Sequence, residues 1–566
     1  MAQKYVVREV EPFANMKDLM AQAVEKFGDT VAYKYRVGEE VKEVTYSRFN
    51  DETLWLGTAI NSLGLASGHI GVAGENSYRW IVVCLTAVKS NGVFCTIDKD
   101  LPDGDLINII NGGEDDIIFC DSKREETFRR IRDRIPNVKY FVCFDREEDD
   151  GEFLSYRLFL EKGETLYSEG DRVYADMESD INDLKMLIYT SGTTGLAKGV
   201  MLSEKNICSL VFYGLRTSQI RPVGLSVLPY HHAYELVAGI LVAIRYGATV
   251  CINDSLKRVL KNLQFFKPQY IYLVPAFVEV FYRSIWNNIE KKGKTKTVKA
   301  AIKLSNGLRK IGVDKRRALF KDIHEAFGGR LEKIVCGGAP LRPEIGEFFD
   351  AIGIMLCNGY GITECSPLVA VNHDDPTNDC RTVGYPLECL DVKLVDVNDE
   401  GIGEIACKGE TVMMGYYNNP EATAAVFTPD GYFLTGDYGR FDDMGRLLIT
   451  GRKKNLIILG NGKNIYPEEL EYYIGNIPYV TECIVFADRD EQGIETSLCA
   501  ECSVDAETLA SLGKDQLCEK LRSDVFKALS DLPSYKQVTR VVVRDKPFTK
   551  TTSNKIRRDS QGKPID

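Results

Sequence analysis

Long apolar runs are missing from this 566-residue sequence: the most apolar stretch, Leu236 to Ile244, is nine residues between Glu235 and Arg245, far short of the ~20 needed to span a bilayer. No transmembrane segment is expected. Basic excess is missing too. Lys and Arg number 71 against 82 Asp and Glu, a net charge of −11, which excludes general attraction to nucleic acid or anionic lipid and leaves any anionic partner to a local site. A disulfide framework is also absent. The sixteen cysteines are scattered through a chain too large to need staples, and the polar opening MAQKYVVREVE carries no signal-peptide pattern, so free thiols and a cytoplasmic protein are expected. Cys499 and Cys502 form a C-x-x-C in SLCAECSV, but the segment alternates like a strand and lacks a second pair or a nearby His to complete a zinc site.

What is present is an ordinary globular composition, 44% hydrophobic and 27% charged, long enough for several cores at roughly 100–200 residues each. Strand-like runs at 186–190, 271–275 and 333–338 alternate with helical stretches, the pattern of parallel sheets covered by helices, so the fold class is α/β. From about 382 to 451 short β-type segments punctuated by glycine imply a small barrel-like subdomain. After Arg452 a charged turn, the turn dipeptide Asn461-Gly462 and a helix opening at Pro467 mark a separate C-terminal α+β domain. The expected division is therefore 1–452 and 453–566. Residues 291–317 hold eleven Lys or Arg and one acid, Asp314. They read as an exposed helical pair or as a surface patch. With a net negative chain no nucleic-acid partner is expected, and peripheral membrane contact stays open for this run.

The densest chemical signal is Tyr189-Thr-Ser-Gly-Thr-Thr-Gly-Leu-Ala-Lys198-Gly199, directly after an apolar strand. Small hydroxyl residues and glycines expose backbone N–H groups, and a lysine follows, which is how a loop wraps phosphate oxygens. It is not a Walker A loop, because Lys198 is followed by Gly199 and not by Ser or Thr. The pair His231-His232 suggests metal, but adjacent histidines on a strand point to opposite faces and lack further ligands.

The loop resembles the phosphate loop of the adenylate-forming superfamily, closest to the bacterial AMP-forming long-chain acyl-CoA synthetases. Asn358-Gly359-Tyr360-Gly361-Ile-Thr363-Glu364-Cys-Ser-Pro367 is similar to the second nucleotide motif of that family, and Gly436-Asp437 with Gly451-Arg452 to its ribose-binding pair. Pro547-Phe-Thr-Lys-Thr-Thr-Ser-Asn-Lys555 resembles the segment of the catalytic lysine, with Asn554 where the family usually has Gly, and Gly68 to Trp80 resembles an early strand and helix. The match runs nearly end to end in family order. It implies a large N-terminal domain of two α/β subdomains plus the β subdomain, and a small mobile C-terminal domain. ATP, Mg²⁺ and CoA are the implied cofactors and co-substrates. By this resemblance Thr190, Ser191, Gly192, Thr193, Thr194, Gly195 and Lys198 hold phosphates, Thr363 the α-phosphate, and Glu364 the Mg²⁺. Asn358, Gly359, Tyr360 and Gly361 face adenine on one side and Gly338, Ala339 and Pro340 on the other. Asp437 and Arg452 take the ribose, and Lys555 bridges the substrate carboxylate and the α-phosphate. The implied catalytic set is Lys555, Glu364, Lys198 and Thr190.

The pocket motif Leu228-Pro-Tyr-His-His-Ala-Tyr-Glu235 has no Asp for an amino group, and an unpaired buried ammonium would be costly, so amino acids are poor substrates. It resembles the long-chain acyl branch, with Phe212, Tyr213, His232 and Val237 near the acyl group. Medium- or long-chain fatty acids are the expected substrates, with aryl acids as the variant. Gly460 and Gly462 resemble the glycine loop that lines a pantetheine tunnel, where CoA and an acyl carrier protein look alike. Lys454 resembles the hinge of the family, the alternative being that Lys453 and Lys454 are solvated charges. The reading of a different class is a nucleotide-binding scaffold without catalysis.

Overall fold

A computed structural model describes residues 5–190, 197–459, 463–489, 495–544, 546–550, 556–559 and 561–565. Its contacts divide the chain into two units. The first comprises residues 1–391, 407–433 and 444–447, the second 392–406, 434–443 and 448–566.

The first unit is built on two large sheets. The eight-stranded sheet runs Gly415–Tyr416, Lys198–Ser203, Leu184–Thr190, Val93–Thr96, His69–Ala73, Ile117–Cys120, Tyr140–Cys143, Phe153–Ser155 from edge to edge. Its first two pairings are antiparallel and the rest parallel. The nine-stranded sheet carries a parallel centre of Met355–Tyr360, Lys333–Cys336, Tyr270–Leu273, Val223–Ser226, Thr249–Ile252 and Val31–Val37, with antiparallel edges. Strands such as Val93–Thr96 and Lys333–Cys336 are buried at every position, as expected where helices cover both faces. On one face of the nine-stranded sheet, Leu263, Phe281, Ile285 and Phe349 from three helices pack on Leu225, Ile271 and Ile334. Pro275 opens one of these helices at its first turn, where its missing N–H costs nothing.

Parallel strands release their chain at one edge. Val223–Ser226, Lys333–Cys336 and Met355–Tyr360 run parallel, so the segments that follow them, at 227–233, 337–340 and 361–364, leave the nine-stranded sheet on the same side. At the opposite end of these strands lies a fully buried ion pair. Lys333 bonds Asp374, the Ser218 hydroxyl at 2.6 Å and the Gln219 carbonyl at 2.7 Å. Burial pushes the Asp374 carboxyl up, but Lys333, Arg221 and Arg8 outweigh it and hold it below its ordinary value.

In the second unit, parts of Leu390–Val395, Gly403–Gly409, Phe433–Phe441 and Leu447–Arg452 lie side by side in a four-stranded sheet. A separate three-stranded sheet pairs Val480–Arg489 antiparallel with Glu495–Val504, and the latter parallel with Arg540–Val543. The expected turn at Asn461-Gly462 is flanked by the antiparallel pair Ile457–Ile458 and Asn464–Ile465, its tip lying outside the described residues. Pro467 opens the next helix as the sequence implies. Cys499 and Cys502, three apart on a strand, join different cores, and the Cys502 sulfur instead faces Cys483 at 3.5 Å. Among the described residues no helix is long and apolar enough to cross a membrane.

Candidate functional site

The strand Leu184–Thr190 turns back antiparallel into Lys198–Ser203 in a register that sets Thr190 opposite Lys198. The ladder ends at that pair, at the base of the 191–197 connection. Ser191, Gly192, Thr193, Thr194 and Gly195 lie outside the described residues. The base is fixed further by the second edge strand: Tyr416 pairs with Val200, and the Tyr417 N–H bonds the Gly199 carbonyl at 2.8 Å.

Tyr416 is the residue that sequence reasoning missed. Its hydroxyl donates to Glu364 Oε1 at 2.9 Å, and the Lys198 ammonium sits 4.8 Å from its ring centroid. One side chain thus touches the anion at the end of one sheet and the cation at the base of the loop in the other, the second contact being a cation–π attraction. Burial first and then the Glu364 charge push the Tyr416 phenol up, so it stays protonated and a donor. The backbone ties the same two places together. The Met413 N–H bonds the Glu364 carbonyl at 2.8 Å, and the Ser366 hydroxyl bonds the Thr411 carbonyl at 2.8 Å. The available signal was TVMMGYYNNP (411–420), whose paired tyrosines follow a glycine, but nothing local points Tyr416 at Glu364.

The segment ending in Glu364 is shaped by close approach. A Cβ on Gly361 would lie 1.7 Å from the Pro367 carbonyl oxygen, so no side chain fits there. Thr363 and Glu364 are half-buried beyond it. Asn358 spends its amide on the Cys380 carbonyl at 2.6 Å, and Tyr360 is almost wholly buried. Gly338, Ala339 and Pro340 are exposed beyond the adjacent strand, with Gly338 at φ +85, where glycine is at ease. Among the described residues no three His, Cys, Asp or Glu side chains gather into a metal cluster. The half-buried carboxylate of Glu364 suits a hard cation that takes one or two protein carboxylates and fills its shell from phosphates and water, which is the habit of Mg²⁺.

The pocket motif differs from expectation. Residues 230–232 form a turn and not a strand, because the chain enters a π-helical segment, Tyr234–Leu241, immediately after them. The rings of His231 and His232 accordingly lie 4.2 Å apart and do not point to opposite faces, and His231 leans toward Asp98 at 3.7 Å. The helix Glu204–Thr217, carrying Phe212 and Tyr213 with rings 5.0 Å apart, packs against the π-helical segment. Val237 is fully buried in that segment. So is Glu235, whose Oε2 has no partner among the described residues. Burial pushes this carboxyl up to about 8 against bonds from the Ser226 hydroxyl and the Val227 and Leu228 amides.

In the second unit, the Arg452 guanidinium meets Asp437 Oδ1 at 3.2 Å, the carboxylate buried and the arginine open. The Asp437 N–H bonds the Thr435 hydroxyl at 3.1 Å within the strand Phe433–Phe441. Lys453 pairs with Glu404, while Lys454 is exposed in the short turn Lys453–Asn455. Gly460, Gly462 and Lys555 lie outside the described residues. The flanks of Lys555 are tied down: Ile556 bridges Lys550 and packs on Phe548 in a small core with Ile484 and Phe486.

A sequence profile of AMP-binding enzymes matches residues 20–417, and one of AMP-binding enzyme C-terminal domains matches 454–563. The chain is 28% identical over 515 residues to the human long-chain-fatty-acid–CoA ligase ACSBG1, covering 86% of this chain and 71% of that one. It is 29% identical over 591 residues to long chain acyl-CoA synthetase 1 of Arabidopsis thaliana, covering 94% and 87%. The anthranilate CoA ligase AuaEII with anthranoyl-AMP has the same fold at TM-score 0.75 and 19% identity, covering 98% and 96%. ATP-bound MatB from Rhodopseudomonas palustris matches at TM-score 0.73 and 22% identity, covering 96% and 97%.

Two expectations follow from this geometry. Tyr416→Phe removes the donor to Glu364 but keeps the ring under Lys198, so the apparent Mg²⁺ requirement should rise about 10–100-fold, the usual cost of losing a residue that orients a ligand. An unchanged Mg²⁺ titration would show that the contact is only structural. For Glu235, the unfolded chain gives up the proton near 4.5 and the folded one near 8. Stability therefore falls as pH rises through that window and levels off above it. Glu235→Gln has no such proton, so its melting temperature relative to the native chain should improve by several degrees between about pH 5 and about pH 8.5. A difference that does not change with pH would mean the carboxyl is not buried protonated.

Proposed function

Since the chain belongs to the family of AMP-binding enzymes, whose profile covers residues 20–417, we propose that it is an ATP-dependent acid–thiol ligase. It activates a carboxylic acid as an acyl-adenylate and passes the acyl group to CoA. Its similarity to long-chain-fatty-acid–CoA ligases over most of the chain makes fatty acids the substrate class. The observation that carries the catalytic reading is the convergence of Lys198, Tyr416 and Glu364 at the Thr190–Lys198 end of the ladder. A scaffold that only bound nucleotide would have no need of Lys555 in addition to Lys198 and Glu364.

The chemistry sets the requirements. A carboxylate oxygen attacks the α-phosphorus of ATP and pyrophosphate leaves, so two anions must be brought into line before any bond forms. In this reading the amides and hydroxyls of the 191–195 loop bind the phosphate oxygens, and Lys198 adds charge. Thr363 bonds the α-phosphate. The adenine lies between the Asn358–Gly361 strand end and Gly338–Pro340, and Asp437 accepts the ribose hydroxyls with Arg452 as a directed donor. Glu364 would hold Mg²⁺, which when bound supplies neutralisation of phosphate charge. Lys555 stabilises the charge that develops between carboxylate and phosphate. In the second step the CoA thiol, as thiolate, attacks the acyl carbon and AMP leaves. The Gly460–Lys463 hairpin lines its path. Lys555 and that hairpin serve different steps from the same C-terminal domain, so this domain turns about Lys454 between them.

Lys555→Ala tests the division of labour. Acyl-AMP formation from acid and ATP should fall about 10²–10³-fold, the size of a lost transition-state electrostatic contact, while thioester formation from supplied acyl-AMP stays largely intact. Equal loss in both would overturn the role. For the substrate, affinity should rise by up to ~0.8 kcal/mol per methylene until the acyl site is filled. Acetate or an amino acid outcompeting octanoate and longer acids would contradict the fatty acyl assignment, and benzoate-type acids winning would place the enzyme with aryl ligases.

A further inference from the structure

The most basic stretch of the chain is also one of its most apolar surfaces. Residues 291–317 carry eleven Lys or Arg and one acid in a protein of net charge −11. The helix Thr295–Lys310 turns Val298, Ala301 and Ile302 inward, onto a core that includes Trp286 and Phe348. Its outer side is patterned. Lys296, Lys303 and Lys310 recur every seven residues on one stripe, and Ala300, Leu304 and Ile311 follow on the next. Leu304 is 56% exposed and Ile311 73%, with Val313 and Leu319 open beyond them.

The charges divide by type. Arg309 and Arg316 are bound to Asp350, Arg316 also to Asp314, and Arg317 to the carbonyls of Gly329 and Leu331. Lys294 lies 3.9 Å from Asp322, and Lys299 sits over Trp286. Among the described residues, Lys291, Lys292, Lys296, Lys303, Lys310 and Lys315 make no ion pair to a carboxylate and are exposed. The forked guanidinium groups suited to reading phosphate or base geometry are therefore spent inside the protein, and mobile point charges on long apolar stems are left facing out.

A second basic and apolar surface lies on another helix that contributes to the same core. The helix Val259–Phe266 packs on Lys321–Ala326, with the Gln264 amide bonded to the Ala326 carbonyl at 3.3 Å. Leu256, Leu260 and Phe265 are exposed there at 57%, 41% and 51%. Lys257, Lys261 and Lys267 lie among them.

We propose that the outer face of Thr295–Lys310 docks on an anionic phospholipid bilayer, lying on the headgroups without crossing, with Leu256–Lys267 as a second basic and apolar contact. Protruding aliphatic side chains have no counterpart on a nucleic-acid backbone, whereas a bilayer interface accepts them between headgroups while lysines meet lipid phosphates. The local positive charge opposes the net sign of the chain, so the field orients this face toward an anionic surface and the rest of the molecule away from it. The inference stands on surface chemistry and is independent of the substrate assignment.

The test is co-sedimentation of the full chain with vesicles of pure phosphatidylcholine and with vesicles containing about one third phosphatidylglycerol. Binding is expected only to the second and should fade as salt rises, since each lysine near the surface contributes through screened charge. The triple change Lys296→Glu, Lys303→Glu, Lys310→Glu should weaken partitioning roughly 100-fold or more. Leu304→Ser with Ile311→Ser should weaken it with its salt dependence unchanged. Both variants alter only exposed positions and should keep the native circular dichroism, melting temperature and ligase rate on a water-soluble short acid. Absent binding, equal binding to both vesicles, or binding untouched by either variant would overturn the proposal. So would salt-sensitive binding of duplex DNA in place of vesicles, or a dimer that the Ile311 change dissolves, since either would assign the face to another occupant.

Discussion

One phenol joins the anion and the cation of the candidate site. Tyr416 bonds Glu364 through its hydroxyl at 2.9 Å and carries Lys198 over its ring at 4.8 Å. Glu364 belongs to the segment leaving the nine-stranded sheet and Lys198 to the base of the loop in the eight-stranded one, so the chemistry of the site requires two sheets to be held in mutual register. A salt bridge between Lys198 and Glu364 would also join them, but it would neutralise both groups before substrate arrived. A tyrosine in between keeps the anion hydrogen-bonded and the cation polarised while leaving each charge available, which is preorganisation in the sense that matters for joining two anions.

The scaffold treats charge in the opposite way. Lys333 and Asp374 are buried and satisfied, with Ser218, Gln219, Arg8 and Arg221 completing the cluster. Removing one partner of such a pair leaves an uncompensated charge and costs about 3–5 kcal/mol. Glu235 follows a third course: buried in the π-helical segment with one oxygen unpartnered, it is held as the neutral acid. The scaffold thus pairs its buried charge at Lys333 and Asp374 and pushes the buried Glu235 carboxyl toward its neutral form.

The sequence made the elements legible where local rules are strong. The apolar run at 186–190 falls in the strand Leu184–Thr190, and those at 271–275 and 333–338 start in Tyr270–Leu273 and Lys333–Cys336 but run past their ends; Pro467 marks a helix start as expected, whereas Pro275, read as the end of a strand, opens a helix. It misled where a rare element intervened. Adjacent histidines diverge on a strand, but the chain turns there into a π-helix that brings their rings together. The site was legible as motifs and not as contacts. Glu364 stands out as the one acid in its motif, whereas Tyr416 lies 52 residues further on and is one of 28 tyrosines. Only the antiparallel edge pairing of Gly415–Tyr416 with Val200 and Met201 aims it inward, and that is a tertiary fact.

In the proposed reaction the carboxylate of the acid attacks the α-phosphorus of ATP, and the fate of its oxygen reports this directly. A fatty acid carrying heavy oxygen in its carboxylate, turned over with ATP and CoA, should leave one labelled oxygen in AMP and none in pyrophosphate, because the bond broken by the thiol is the one between acyl carbon and that oxygen. Label in inorganic phosphate together with ADP would reveal an acyl phosphate route, and unlabelled AMP would mean that no acyl-adenylate forms; either result contradicts the mechanism.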